Sequence, residues 1–310
     1  YIEYASVNHD DGSVDLSCVV DLNAIIDRYD VYRSLRGFDN LNKIGEINSN
    51  GTSPIYFNDP SVATNNSSYH YEIYPVDTCG QLLFPPSLNN PSSSNDTSFA
   101  ETILLDVETN KDYSAISSLD GQYTNTVTFN EYNKWIGDVI EYRLYRSVNR
   151  EPFNLIPIYK WDRQNNPNEE LKYIDVVTEF GDGNGRFCYY IQAVEGPANI
   201  YGSTTEGSLS NIACVSQTPI LFVPSVFTPN GDEHNEIFIP VTYFVSELGY
   251  SFSVYNRLGE MLFQTNDPNK GWDGMFNGSP SPIGNYIYHI KYVNGVGNII
   301  EKTDVISLIR

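Results

Sequence analysis

The sequence predicts an all-β protein made of three tandem β-sandwich domains, two alike and a smaller third. Short runs of alternating apolar and polar residues recur along the chain and are bounded by turn signals such as Asn50-Gly51. No stretch of useful length shows the 3.6-residue periodicity of an amphipathic helix. The 24 Tyr and 15 Phe residues suit half-buried sheet surfaces, which aromatic side chains cover well. Many short strands at close spacing are typical of antiparallel sandwiches.

The chain has 310 residues and is strongly acidic, with 18 Lys and Arg residues against 39 Asp and Glu residues and a formal net charge of −21. This balance argues against nucleic acid or an anionic membrane surface as the partner, because both are polyanions. No apolar run reaches the roughly 18 to 20 residues that a membrane-spanning helix needs. Residues 219–310 carry a net charge of only −4, which leaves −17 for residues 1–218. We therefore expect the last part of the chain to be a different kind of domain.

An internal repeat spans the first two thirds of the chain. The run YDVYRS at 29–34 recurs as YRLYRS at 142–147, and YHYEIYPVD at 69–77 recurs as FCYYIQAVE at 187–195. Each matched block alternates with the period of two that a β-strand requires. Such a repeat predicts two copies of one fold, at residues 1–97 and 98–218.

These blocks resemble the strands of fibronectin type III domains. The resemblance covers residues 1–218 and implies that 29–34 and 142–147 are third strands, and that 69–77 and 187–195 are sixth strands. Between the two copies, the polar, proline-containing run at 89–98 is predicted to be a linker. The tripeptide Gln217-Thr218-Pro219 is expected to open the third domain.

The four cysteines, Cys18, Cys79, Cys188 and Cys214, form an even set without a C-x-x-C pair or clustered histidines, which argues against a zinc site. Two disulfides in an oxidising compartment are one interpretation, and four buried free thiols are the other. The fibronectin resemblance favours the first and implies a Cys188–Cys214 pair across the hairpin of the sixth and seventh strands. It pairs Cys18, on an early strand, with Cys79, just after the sixth strand, so that each link lies within one domain.

Residues 219–310 are predicted to form the third, smaller sandwich, with Asn-Gly turns at 277–278 and 294–295 between alternating strands. Five landmarks follow one another: Phe227-Thr-Pro-Asn-Gly-Asp232, Tyr255-Asn-Arg-x-Gly-Glu260, Gly271-Trp-Asp-Gly274, Pro282-x-Gly284 before Tyr286, and Leu308-Ile309-Arg310. In this order they resemble the type B sorting domain of type IX secretion cargo, which is also called the gliding-motility-associated C-terminal domain.

The resemblance implies that a set of motif residues fixes the fold of this domain and presents it for recognition. They are Phe227, Pro229, Asn230, Gly231, Asp232, Arg257, Gly259, Trp272, Asp273, Gly274 and Arg310. Arg257 and Arg310 are candidates for pairing with carboxylates of the domain or of the export machinery. The chain departs from the family pattern after Asp232, at Leu258 and at Asp304; the first departure bears on metal binding.

A calcium site is predicted in the first landmark. Asn230, Asp232, Asn235 and Glu236 offer oxygen ligands around a tight turn, as a hard cation requires. The alternative is a loop in which these side chains satisfy local backbone amides. Calcium is the one candidate cofactor in the sequence.

Other candidate sites have simpler structural interpretations. The run Gly181-Asp-Gly-Asn-Gly185 lacks the Lys-Ser/Thr of a phosphate loop and is predicted to be a turn between strands. Trp272 is expected to anchor the small core. Trp135 and Trp161 could form a sugar-stacking platform, although scattered aromatic residues of a sandwich are usually core. Neither a His-Glu-x-x-His nor a Gly-x-Ser-x-Gly motif occurs, and no catalytic residue is identified.

The favoured hypothesis is a non-enzymatic exported protein, or the C-terminal region of a larger one, that acts as an adhesin. Its first two domains are spacer or adhesive modules, and its last domain is the secretion signal. The chain begins at Tyr1 without a Met, so we expect an export leader to lie upstream. The resemblance implies recognition of the folded domain by the type IX outer-membrane translocon and its shuttle protein, with an additional outer-membrane partner for type B cargo. It also implies delivery to the surface or medium of a Bacteroidota-type bacterium. The alternative is a glycan-binding accessory region of a secreted polysaccharide-degrading enzyme.

Overall fold

A computed structural model describes residues 1–83, 99–109, 122–133, 135–197, 199 and 207–310. As predicted, the architecture is all-β: the described residues form 24 strands and one short 3₁₀ helix, Thr178–Phe180. Among these residues, no helix is long and apolar enough to cross a membrane. The predicted linker at 89–98 lies outside the described residues.

The first sandwich packs a three-stranded sheet against a four-stranded one, in the orders β1-β2-β5 and β4-β3-β6-β7. The repeat blocks at 29–34 and 69–77 lie on β3 and β6, which pair antiparallel at the centre of the larger sheet. The strands are β1 (Ile2–Val7), β2 (Val14–Cys18), β3 (Arg28–Leu35), β4 (Asn42–Asn48), β5 (Ile55–Asp59), β6 (Tyr69–Val76) and β7 (Phe99–Glu101).

The last strand of this sandwich lies after the predicted domain boundary. In β7, Ala100 pairs with Tyr71 and Glu101 pairs with His70, so residues 99–101 close the sheet of the first sandwich. The predicted boundary between residues 97 and 98 therefore precedes this strand instead of following it. The sequence gives little sign of β7, because three residues are too few to show alternation.

The second sandwich repeats the plan, with a sheet in the order β12-β9-β8 and a sheet in the order β11-β10-β13-β14, while β15 also pairs with β13. The second copies of the repeat blocks lie on β10 and β13, again paired antiparallel. The strands are β8 (Leu105–Thr109), β9 (Thr124–Phe129), β10 (Val139–Val148), β11 (Tyr159–Asp162), β12 (Lys172–Val176), β13 (Arg186–Glu195), β14 (Gly207–Leu209) and β15 (Ala213–Ser216).

One predicted disulfide is confirmed and the other is wrong. Cys188 and Cys214 lie directly opposite each other on β13 and β15, with their Cα atoms 4.1 Å apart, and they form a disulfide. Cys18 and Cys79 are both free thiols. Cys18 is 1% exposed in the first core, whereas Cys79 lies on an exposed turn after β6, where its N–H donates to Asp77 Oδ1. The prediction failed because position relative to a strand does not say which way a side chain points.

The third domain is built on a five-stranded sheet in the order β17-β24-β23-β19-β20, with the two-stranded pieces β16-β18 and β21-β22 beside it. The alternation expected at 286–292 is confirmed, since Tyr286, Tyr288, Ile290 and Tyr292 are all buried. The strands are β16 (Ile220–Phe222), β17 (Val226–Phe227), β18 (Val241–Tyr243), β19 (Ser251–Tyr255), β20 (Met261–Thr265), β21 (Met275–Phe276), β22 (Ser279–Pro280), β23 (Gly284–Val293) and β24 (Ile299–Leu308).

Candidate functional site

The sequence landmarks of the third domain converge at one end of its sheet. Phe227 on β17 pairs with Leu308 on β24, and its ring lies 5.4 Å from that of Trp272, centroid to centroid. Trp272 also contacts the ring of Tyr286 at 4.9 Å. Phe227 and Trp272 are each 1% exposed. These two motif residues therefore hold the landmarks together as core, as expected for Trp272.

Gly274 is required where the first, third and last landmarks meet. Its φ of +78° lies in the left-handed region, which side chains disfavour. A Cβ at this position would lie 3.0 Å from Pro229 Cγ and 3.2 Å from Leu308 Cδ1, closer than ordinary van der Waals contact. The glycine thus lets the turn approach both Pro229 and the last strand.

The loop that holds the predicted calcium ligands is hydrogen-bonded within itself. Glu236 Oε1 accepts the N–H groups of Gly231 and Asp232, and Asp232 Oδ1 accepts the N–H of His234. Hydrogen bonds to the Asp232 carboxyl hold its pKa below the usual value, and the backbone N–H of His234 contributes most to this. Asn235 contributes its carbonyl oxygen to the N–H of Thr228. This geometry is that of the hydrogen-bonded alternative; no group of three His, Cys, Asp or Glu side chains suited to a metal occurs in the described ranges. Calcium binding stays a prediction.

Two further motif residues shape exposed turns. Asp273 Oδ1 accepts the N–H of Met275 at 2.9 Å. In the β19–β20 hairpin, Asn256 Oδ1 accepts the N–H groups of Leu258 and Glu260, and Gly259 takes a φ of +83°. The side chains of Asp273 and Asn256 support these turns, which face solvent. The turns lie at the end of the sheet where the landmarks meet, which we call the motif end.

The two arginines of the motif set differ in what they contact. Arg310 donates to the carbonyl oxygens of Ser281 at 2.8 Å and Pro229 at 3.3 Å, which ties the last residue to the first landmark and to the residue just before the fourth. Arg257 is exposed and forms no ion pair with any residue that the structure describes. Neither arginine therefore pairs with a carboxylate among the described residues of the domain, and pairing with carboxylates of the export machinery stays a prediction.

A cleft of about 550 Å³ opens beside Arg257 at this end of the domain. Its walls are the β19–β20 turn and the segment from β21 to the start of β23, and it is lined mainly by Arg257, Leu258, Phe276, Pro282, Ile283 and Tyr286. Leu258 is 94% exposed and Ile283 is 62% exposed. The arrangement presents one cation and several apolar side chains to a partner.

The third domain is docked onto the second by two aromatic residues that sequence patterns did not single out. The Tyr243 ring stacks on Tyr123 at 4.9 Å, and Phe244 contacts Phe187 edge to face. Phe244 is fully buried in the core formed by the first two sandwiches, although it follows β18 of the third domain. Its φ of +56° turns the chain into this contact.

The glycine run 181–185 receives this contact. A Cβ on Gly181 would lie 2.2 Å from the Tyr243 ring, and one on Gly185 would lie 3.0 Å from Phe244 Cβ. The run is a turn between the 3₁₀ helix and β13, as predicted, and its small residues also admit the docking side chains. In the sequence, the one feature related to this interface is the glycine-rich run itself, which leaves room for the two aromatic rings.

Each of the first two sandwiches holds the same ion pair between a half-buried arginine and a buried aspartate. Arg33 contacts Asp59 at 2.6 Å, and Arg146 contacts Asp175 at 2.7 Å. In both copies a repeat tyrosine donates its hydroxyl to the carboxylate, Tyr71 to Asp59 and Tyr189 to Asp175. The arginines and tyrosines lie in the repeat blocks, but the aspartates were missed, because they lie on short strands with little sequence likeness.

The proposed sugar-stacking platform is wrong. Trp161 is 0% exposed and Trp135 is 5% exposed, so neither indole face is open to a ligand. Trp161 packs against Phe129 and Tyr159, and Trp135 packs against Tyr132. Both residues are core, which is the simpler of the two interpretations that the sequence allowed.

Comparison with known proteins places a family match on the third domain. Residues 221–307 match the family model described as CHU_C, the Type IX secretion signal domain. No curated protein matches the chain.

Solved structures similar to the chain are multidomain proteins of low sequence identity. A tetra-tandem repeat in the extending region of a large adhesion protein is 12% identical, with 99% of this chain and 73% of that chain covered and a TM-score of 0.33. The FN1–FN3 domains of chicken CNTN1 are 11% identical, with 100% and 97% covered and a TM-score of 0.23. A Ca²⁺-stabilised adhesin with which an Antarctic bacterium binds ice is 11% identical, with 98% and 71% covered and a TM-score of 0.22.

Proposed function

We propose that the type IX secretion signal domain at residues 221–307 serves as the export address of this chain, and that the two sandwiches before it are non-enzymatic adhesive or spacer modules. A type IX signal implies export to the cell surface or the medium. The proposal includes an adhesin role for the chain and three partners: the outer-membrane translocon, its shuttle protein and an additional outer-membrane partner.

The observation that carries the proposal is the matched domain together with the geometry of its landmarks. The aromatic motif residues are buried and fix the fold, while Arg257, Asp232 and Asp273 lie exposed on turns at the same end. A folded surface assembled from distant parts of the chain suits recognition of a folded signal better than recognition of a short peptide. The acidity of the first two sandwiches favours solubility after export.

The proposed function is tested by export of a reporter. A periplasm-targeted fluorescent protein is fused ahead of residues 1–310 and expressed in a type IX-competent host and in a translocon mutant of that host. We expect reporter outside competent cells only. A matched fusion that ends at residue 218 should stay inside both hosts, and its fluorescence shows that the reporter is intact.

A further inference from the structure

The cleft at the motif end combines an unpaired cation with exposed apolar side chains. Arg257 has no carboxylate partner among the described residues, in a chain whose net charge is −21. The one carboxylate that lines the cleft, Glu260, is held by a hydrogen bond from Asn256 Nδ2 at 2.8 Å. Because the nearby carboxylate is engaged with Asn256, Arg257 is free to bind an anionic group from outside the domain.

The Arg257 guanidinium lies beside the start of β23. Its Nη2 atom lies 3.7 Å from where a Cβ on Gly284 would stand. Burial raises the pKa of the Tyr286 phenol, and the positive charges of Arg310 and Arg257 partly oppose that rise. Because Arg310 is occupied with two carbonyl oxygens, Arg257 is the cation available to a partner.

The apolar side chains of the cleft are exposed to water. Leu258 stands at the tip of the β19–β20 turn with 94% of its surface exposed, and Ile283 is 62% exposed on the opposite wall. Apolar side chains around a polar anchor form the usual centre of a protein interface.

We propose that this cleft binds an extended peptide segment of the outer-membrane export machinery, which presents a carboxylate to Arg257 and an apolar side chain to Leu258 and Ile283. The inference rests on the proposed function, because the machinery is the partner that must recognise this domain. The unpaired Arg257 selects a segment that bears a carboxylate, and the cleft of about 550 Å³ leaves room for a short stretch of peptide between its two walls.

The test uses the reporter fusion of residues 1–310 with two matched pairs of variants. Arg257→Gln removes the cation of the cleft, and Lys302→Gln removes an exposed cation of the same domain. Lys302 pairs with Ile290, six residues along β23 from Gly284, which is roughly 20 Å from the cleft. Leu258→Ser removes the apolar tip, and Leu248→Ser alters a leucine that is 83% exposed elsewhere in the domain.

We expect Arg257→Gln and Leu258→Ser each to lower the exported fraction about tenfold, as loss of a central interface anchor does, and both control variants to be exported like the unmodified chain. All four purified chains should melt at the temperature of the unmodified one, since every changed side chain is exposed. Normal export of both cleft variants would overturn the inference while leaving the proposed function intact. An equal fall for Lys302→Gln would overturn it too, as a general effect of charge. Retention of the unmodified chain by competent cells would instead refute the proposed function.

Discussion

Phe244 donates its backbone N–H to the carbonyl oxygen of Gly181 at 2.6 Å, across the boundary between the second and third domains. The hydrogen bond accompanies full burial of the Phe244 ring in the core of the neighbouring sandwich. The signal domain is thus presented in a fixed relation to the domain before it, and part of its own chain completes that domain's core.

Phe244→Ala should lower the free energy of unfolding by about 3 kcal/mol, because it removes a buried ring and leaves a cavity. Urea unfolding of residues 1–310 measures this change. The control is Leu248→Ala, which alters a leucine that is 83% exposed in the following loop and should have almost no effect. Equal stability of both variants would show that the two domains are not coupled through this ring.

Asp175→Asn should destabilise the second sandwich by about 3 kcal/mol. The change leaves Arg146, whose side chain is only 12% exposed, without its ionic partner, a condition that usually costs more than loss of a surface pair. The matched control is Glu301→Gln, whose partner Lys291 is 42% exposed; it should cost under about 1 kcal/mol. Chemical denaturation measures the free energy of unfolding of both variants. A similarly small loss of stability in both would contradict a structural role for the repeated ion pair.

Stability should fall at alkaline pH through His70. Burial lowers the pKa of His70, but hydrogen bonds to Glu101 and Glu72 outweigh it and raise that pKa to about 9. The ring also packs against Phe99, and Arg36 contacts the Glu101 carboxylate. Since an unfolded histidine titrates near 6.5, this contribution to stability is complete below about pH 6.5 and is lost as pH rises through about 9.

The variant His70→Gln separates this effect from other titrations. The difference in free energy of unfolding between the unmodified chain and the variant should be largest near about pH 6 and should shrink by about pH 9.5. Urea titrations at the two pH values measure it. A difference that is the same at both would mean that His70 is not charged in the folded state.

Calcium should raise the melting temperature of the chain if the loop at 230–236 binds it. A cation would have to displace backbone N–H groups from Asp232 and Glu236, so we expect binding only at about millimolar calcium, as for weak extracellular sites. Asp232→Asn should abolish the shift, and magnesium serves as the control ion. No shift at millimolar calcium would refute the calcium prediction.

Local pattern predicted the strands of this fold well, because each strand carries its own period of two. The runs on β3, β6, β10, β13 and β23 were identified in this way. The ordered landmarks of the third domain were also identified, and the structure shows why they occur together: Phe227, Trp272 and Gly274 meet in one contact.

Contacts between distant segments were predicted poorly. The pairing of Cys18 with Cys79 failed because side-chain direction at the end of a strand is set by packing of the two sheets. The contact of Phe244 with Phe187 was missed because a single aromatic residue after a short strand gives no periodic signal. The unpaired state of Arg257 likewise depends on where Glu260 and Asn256 place their polar atoms.

The type IX secretion signal domain at residues 221–307 is proposed to direct export of the chain. The most direct measurement is the fraction of reporter outside the cells, for the fusion carrying residues 1–310, in a competent host and in its translocon mutant. We predict reporter outside the competent host and reporter trapped in the mutant. An intact, fluorescent fusion trapped in both hosts would contradict the claim.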